Sequence, residues 1–300
     1  MPSSYFSTPS DTLDPALFQS WDNQIKQEVR RPLINAVESS LNEAGLKAPV
    51  YWLNLWITGS AISYQWNADR GNGDLDVQIG INRERFIEAN PVFRGVDIHT
   101  VANSIDSYLK ETLWPKMSQA VFDGKTFEVT FFWDYYVSDD INTIHPYAAY
   151  DLLKDQWVVR PPSLPVDPES LYPKEWFDSV KEDEFSAARI LSVHSDASRE
   201  LAAYVPGSGN YINAQSRVNL MNAQAKSLYD DIHIGRRQAF TGHGKGYSDY
   251  NNFRWQAAKR AGIISNLLDV IHAVPKSDIK SADESLQEAM FHRMGTRYGR

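Results

Sequence analysis

WITGSAISYQWNADRGNGDLDVQIGI, Trp56–Ile81, holds a small-residue turn, a polar gap and then two aspartates separated by one leucine. Its last eight residues, DLDVQIGI, alternate strictly. In a strand, successive side chains point to opposite faces, so Leu75, Val77, Ile79 and Ile81 share a core face. Asp74, Asp76, Gln78 and Gly80 share the other. The two carboxylates then stand about 7 Å apart on one side of the strand. Like charges held that close repel, and each disfavours ionisation of the other. A divalent cation relieves the repulsion. Mg²⁺ takes one or two carboxylates and completes its shell with substrate phosphates and water, which suits phosphoryl or nucleotidyl transfer.

Upstream, VYWLNLWITG is a short apolar run ending at Gly59 and reads as a strand. Gly59 and Ser60 follow it in a turn that opens a helix, where backbone N–H groups and a hydroxyl can hold phosphate oxygens. The full pattern is apolar, Gly, Ser, a gap of 13 residues from Ala61 to Gly73, then Asp, apolar, Asp, apolar. TGS followed by DLDV resembles the signature of the polymerase-beta-like nucleotidyltransferase superfamily. The likeness is close over the motif and loose over residues 45–137. It implies a small mixed sheet, a Gly59-Ser60 turn holding a triphosphate, Asp74 and Asp76 binding two Mg²⁺ (or Mn²⁺) ions, and a third carboxylate on a neighbouring strand.

That third carboxylate is sought in KTFEVTFFWDYYV, the next strongly β-prone run. Phe127, Val129, Phe131 and Trp133 form one face; Glu128, Thr130, Phe132 and Asp134 form the other. Glu128, apolar on both sides, matches the pattern the resemblance implies. Asp134 is the competitor, about 20 Å further along the strand. The expected catalytic and metal-binding set is therefore Asp74, Asp76 and Glu128.

Working outward, DPALFQSWDNQIKQEVRRPLINAVESSLNEAGL reads as helix from an Asp14 cap, with Pro32 as a candidate break. Residues 83–118 read as mainly helical, interrupted near NPVFRG. Five prolines fall in residues 161–173, counting Pro161 and Pro173 at its ends, a stiff connector or a loop laid over the surface. Helices are expected over about 175–204, 213–240, 249–273 and 281–292. The fold class is α/β (α+β): a small mixed nucleotidyltransferase-type sheet with flanking helices, then an α-helical domain. The boundaries are 1–160 for the catalytic domain, 161–173 for the linker and 174–300 for the helical domain, which the resemblance makes a cover for the nucleotide cleft.

In that second half, NAQAKSLYDDIHIGRRQAF sets Lys226, Tyr229, Arg236 and Arg237 on helix. GHGKGYSDYNNFRWQAAKR begins as a glycine-rich loop and becomes helix, with Ser248 or Asp249 as cap. Lys226 and Lys245 are the expected phosphate ligands, and Tyr247 or Tyr250 can stack on a base. Each of these cations has the competing role of a solvated helix face. The loop is no P-loop: Gly246 follows Lys245, and Ala239 stands where the first glycine belongs.

The chain of 300 residues carries 30 basic and 38 acidic side chains, a net charge of −8. That is opposite to a protein that coats duplex nucleic acid. It has no cysteine, which excludes disulfides, thiolate metal sites and a cysteine nucleophile. Its seven histidines form no H-E-x-x-H pair. No apolar run reaches the length of a membrane span. The first residues lack the basic start and apolar run of a signal peptide, so the expectation is a cytoplasmic protein with no membrane partner.

The function expected is metal-dependent transfer of NMP from a nucleoside triphosphate to a hydroxyl, with release of pyrophosphate. The acceptor stays open: an RNA 3′ end, a protein, a small molecule, or a second nucleotide as in a cyclic-oligonucleotide synthase. A non-catalytic nucleotide-binding module keeping the fold is the alternative from another class, and an accidental motif in a structural α/β protein is the third.

Overall fold

The computed structural model describes residues 4–66, 74–133, 139–241 and 243–273. The chain is mixed α/β. Its described residues fall into two compact units, one of 4–173 with 236–253, the other of 174–235 with 254–273.

The first unit is built on a six-stranded sheet in the order β3-β4-β2-β1-β5-β6. The strands are β1 Leu53–Thr58, β2 Leu75–Ile81, β3 Gln119–Phe122, β4 Lys125–Trp133, β5 Ala149–Asp151 and β6 Gln156–Val159. β1 runs antiparallel to β2, with Thr58 opposite Asp76, and β2 runs parallel to β4, with Asp76 opposite Thr130. The sheet is therefore mixed.

The odd face of β2 is core, as its alternation requires: Leu75, Val77 and Ile81 are fully buried. Helix α1, Gln27–Glu43, adds Val29, Leu33, Val37 and Leu41 to the same core cluster, four fully buried residues at spacing of four. Each such side chain contributes about 1.5–3 kcal/mol by leaving water. A short helix α2, Pro49–Trp52, leads into β1. Between β2 and β3 lie α3, Arg83–Ala89, α4, Ile98–Thr112, and α5, Trp114–Met117. Asn82 and Asp97 cap α3 and α4 through their side chains.

Two expectations near the N-terminus are corrected. Helix begins at Gln27, not at Asp14; residues 14–25 form turns closed by a Phe18–Ile25 bridge. Asp14 does act locally, accepting from the Ala16 N–H at 2.9 Å. Pro32 does not divide the helix. It is exposed and early in α1, so the carbonyl that its missing N–H leaves over belongs to exposed Glu28 in the first turn.

The Pro-rich stretch is laid onto this unit. Its 3-10 turn, Pro168–Leu171, buries Pro168, and Tyr172 stacks on Tyr5 at 5.5 Å between ring centroids. Residues 236–253 also fold here, although the sequence boundary assigned everything after 173 to the helical half. Aromatic packing is the cause. Tyr247 stacks on Tyr147 at 4.3 Å, and Phe253, fully buried, meets Phe6 edge-on at 5.5 Å. The Tyr5 hydroxyl donates to the Tyr247 carbonyl at 3.0 Å. Gly246 sits so close to the backbone of His145 that a Cβ would come within 2.2 Å of its carbonyl oxygen.

The second unit is helical, drawing on α6 Lys174–Ala203, α7 Gly209–Ala239, α8 Tyr250–Arg260 and α9 Ile263–His272. The last turn of α7 and the first of α8 count with the sheet unit. The single helix expected over 249–273 divides at Gly262, whose φ of 76° ends one segment and starts the next. Arg254 grips Asp183 with Nε and Nη2 at 2.7 and 2.8 Å and Asp231 with Nη1 at 2.7 Å. The helix expected over 281–292 lies outside the described residues. Among the described residues no helix is long and apolar enough to cross a membrane.

Candidate functional site

β1 ends at Thr58, and the chain turns through Gly59 into a single 3-10 turn, Ser60–Ile62. The expected helix start is thus one turn. Gly59 has φ 87°, a conformation that side chains disfavour. A second constraint is tighter: a Cβ on Gly59 would lie 2.8 Å from Asp76 Oδ2. The glycine turn and the acidic strand are packed into contact. Antiparallel pairing produces this, since Thr58 at the end of β1 faces Asp76 near the start of β2.

Asp76 is half-buried and flanked by two hydroxyl residues, Thr58 on β1 and Thr130 on β4. Asp74 is exposed, one residue ahead of β2. Glu128 is exposed on β4, one residue before the Val129–Leu75 pair, so it enters the parallel ladder beside Asp74 rather than beside Asp76. Adjacent strands lie about 4.8 Å apart. Asp134 lies outside the described residues.

Among the described residues no three histidine or acidic side chains gather closely enough to hold a metal ion by themselves. The donors present are hard carboxylate oxygens, one half-buried and two exposed. They fit Mg²⁺ as that ion is usually held, by one or two carboxylates with the remaining oxygens from phosphate and water.

The later segment supplies the rest. Arg236, half-buried in the last turn of α7, lies within electrostatic reach of the Asp76 carboxylate and the Tyr247 hydroxyl. Burial pushes its guanidinium below the usual arginine range, and Asp76 pulls it back up. Burial raises the Tyr247 hydroxyl well above the ordinary tyrosine value, so it stays protonated. It donates to Gln65 Oε1 at 3.3 Å, while Gln65 Nε2 donates to the Tyr5 carbonyl at 2.7 Å. One face of the Tyr247 ring is covered by Tyr147. Tyr247 is thus a structural anchor beside Asp76, with less ring surface left for a base than the sequence allowed.

Lys245 and Lys226 are the remaining expected ligands. Lys245 is exposed, with its backbone N–H on Asp249 Oδ2 at 3.1 Å. Asp249 also accepts from Asn251 N–H at 2.9 Å, which makes it the cap of α8. Lys226 belongs to the helical unit, exposed on α7 and paired with Asp230 at 2.7 Å, four residues on.

Gln78 completes the even face of β2 in an unexpected way. It is fully buried between Trp56 on β1 and Phe132 on β4, and neither its oxygen nor its nitrogen has a hydrogen-bond partner among the described residues. Beyond Asp76 this face is a second core, formed by Trp56, Ile141, Ile144 and Ala149. The sequence signal was present, a polar residue on the aspartate face. What marks Gln78 out, its cover by residues 141–149, is not local to the strand.

No protein-family model, no curated protein and no solved structure matches this chain.

Proposed function

We propose that the turn at Gly59-Ser60 and the acidic start of β2 form the phosphate and Mg²⁺ site of a nucleotidyltransferase. The observation that carries this reading is the contact between Gly59 and Asp76: a phosphate held at the turn lies beside a half-buried carboxylate. The TGS-to-DLDV spacing and the mixed sheet, with β4 parallel to β2, are compatible with the polymerase-beta-like superfamily that the motif resembles.

In this reading Ser60 and the turn's N–H groups hold the outer phosphates. Asp76 and Asp74 would hold the cation, which would supply charge neutralisation at the transferring phosphoryl group. Glu128 accepts the proton of the attacking hydroxyl. That oxygen bonds to the α-phosphorus, the bond to the bridging oxygen of the β-phosphate breaks, and pyrophosphate leaves. Positioning and charge neutralisation supply most of the rate. The acceptor is one of the classes named above; a second nucleotide, giving a cyclic oligonucleotide, is one of them.

One observation favours a second reading, a binding module without turnover: Thr130, not a carboxylate, stands directly beside Asp76 on β4. A single experiment separates the two. The full chain is incubated with each α-labelled nucleoside triphosphate and Mg²⁺ or Mn²⁺. Pyrophosphate with a labelled product supports the transferase. Metal-dependent binding without pyrophosphate supports the module. Absence of both removes the site.

A further inference from the structure

We infer that Ser63 and Gln65 are positioning residues for the Gly59-Ser60 turn: Ser63 fixes the Ser60 backbone, and Gln65 ties it to Tyr5 and Tyr247. The inference rests on the phosphate reading of that turn and assigns the residues that hold it in one conformation.

The turn does little to hold itself. Ser60–Ile62 is one 3-10 turn, and the residue before it, Gly59, restricts the backbone least of all. The Ser63 N–H closes the turn on the Ser60 carbonyl at 3.1 Å. The Ser63 hydroxyl donates to that same oxygen at 2.8 Å and accepts the Gln65 N–H at 3.1 Å. With its carbonyl held twice, Ser60 has the plane of the following peptide fixed. Ser63 is 0% and Gln65 2% exposed, so water does not compete for these bonds.

Gln65 carries the restraint outward, to partners 60 residues before it and 182 after it. Its Nε2 donates to the Tyr5 carbonyl at 2.7 Å, and its Oε1 accepts from the Tyr247 hydroxyl at 3.3 Å. The Tyr5 hydroxyl closes the ring of bonds on the Tyr247 carbonyl at 3.0 Å. The two tyrosine rings lie 5.1 Å apart, and Tyr247 also stacks on Tyr147. Ser10 secures the stretch on either side of Gln65: its N–H donates to the Tyr64 carbonyl at 2.7 Å and its hydroxyl to the Trp66 carbonyl at 2.8 Å.

The aromatic contacts are enough to bury these segments, and an apolar side chain of glutamine's size would fill the same space without needing partners. A buried amide bonded at both ends does something further: it admits one geometry. That geometry runs through Ser63 to Ser60, next to the glycine whose Cβ would lie 2.8 Å from Asp76 Oδ2. Removing a link should therefore loosen the phosphate side of the site.

Calorimetry on the full chain tests this with two titrants, each with Mg²⁺ at fixed ionic strength: a non-hydrolysable ATP analogue, and tripolyphosphate, which has no base. In Ser63→Ala both affinities are expected to fall about tenfold, and by the same factor, because the turn meets phosphates and not the base. In Gln65→Met both should fall severalfold. Asn90→Ala is the comparison for a purely structural role. Asn90 is a buried side chain of the same unit, bonded to Lys47 and Phe86 instead. Its loss should lower the urea midpoint and leave both affinities within about twofold. Affinities in Ser63→Ala and Gln65→Met equal to those of a wild type that binds overturn the inference. A fall in Asn90→Ala as large as theirs overturns it as well, and so does a fall confined to the ATP analogue. If Ser63→Ala does not fold, Gln65→Met decides. A wild-type chain that binds neither titrant overturns the phosphate reading of the turn, and the inference with it.

Discussion

Two arginines in this molecule are taken out of water beside aspartates, and they respond in opposite directions. Arg254, in the helical unit, is raised above the usual arginine range, first by its hydrogen bonds to Asp183 and then by Asp231, which together exceed the penalty of burial. Arg236, in the sheet unit, is lowered, because burial exceeds what Asp76 returns. The first is a finished ion cluster: two parallel contacts to one carboxylate and a third to another, all at 2.7–2.8 Å. The second shows the opposite balance, burial outweighing the pull of Asp76. A buried charge whose partners more than offset burial is there for structure.

The largest expected effect breaks the finished cluster. Asp183 and Arg254 side chains are 12% and 15% exposed, so Asp183→Asn leaves a nearly buried guanidinium without its main partner. The expected loss is about 3–5 kcal/mol of unfolding free energy, read as a lowered urea midpoint. A loss below about 1 kcal/mol would mean that the cluster is dispensable. The matching change in the sheet unit, Asp76→Ala, should act on function instead. Turnover should fall roughly 10²–10³-fold as charge stabilisation at the reacting phosphate is lost. The urea midpoint should move far less than in Asp183→Asn. Turnover close to wild type would refute the metal-site reading, and a large loss of stability would make Asp76 a second Arg254-type strut.

The contrast also explains what the sequence could show. β1, β2 and β4 were legible because each is six to nine residues long with clear apolar patterning. β5 and β6 were not, since AYD is buried throughout and QWVV is only four residues long. β3 escaped although the Asp123-Gly124 pair after it, both at positive φ, is a hairpin turn signal. The site divides in the same way. Gly59, Ser60 and Asp76 lie within one hairpin-like pairing, so local spacing reports their contact. Arg236 and Tyr247 arrive 160 and 171 residues after Asp76, in a segment held by rings from four separate stretches of chain. Nothing periodic records that. A sequence boundary drawn at the prolines therefore placed them in the other unit.

A smaller effect sharpens the functional side. Ser60→Ala removes one hydroxyl from the turn beside Asp76. Affinity for the Mg²⁺–nucleotide analogue should fall roughly 10–150-fold, the equivalent of about 1.5–3 kcal/mol. Thermal stability should hardly change, because Ser60 is only half-buried. Calorimetry showing unchanged affinity would remove Ser60 from the phosphate site. Gln78→Met tests the unpartnered amide further along this face. An unsatisfied buried amide costs about 1–3 kcal/mol, so a side chain of similar size without polar atoms should raise stability by about 1 kcal/mol. A stability gain with lower metal affinity would make Gln78 a positioning residue for the carboxylates. A stability loss would mean that the amide is satisfied in solution.

The helical unit has its own incomplete group, and it sets the smallest expected effect. His194 on α6 is 7% exposed, and its Nε2 has no hydrogen-bond partner among the described residues. Burial lowers its pKa, favouring the neutral ring in the folded state. The sign follows from proton counting. Between the folded value and the unfolded value of about 6.5, the unfolded chain binds the extra proton, so stability rises with pH in that window. Stability is complete above about pH 6.5 and is lost as pH falls toward the folded value. A melting series from pH 7.5 to pH 5 should show this as a downward slope of Tm at the acid end. His194→Leu should flatten the slope, and a slope unchanged in that variant would assign it to other groups. Asp76→Ala should leave this component of the slope in place, because His194 belongs to the helical unit and Asp76 to the sheet unit.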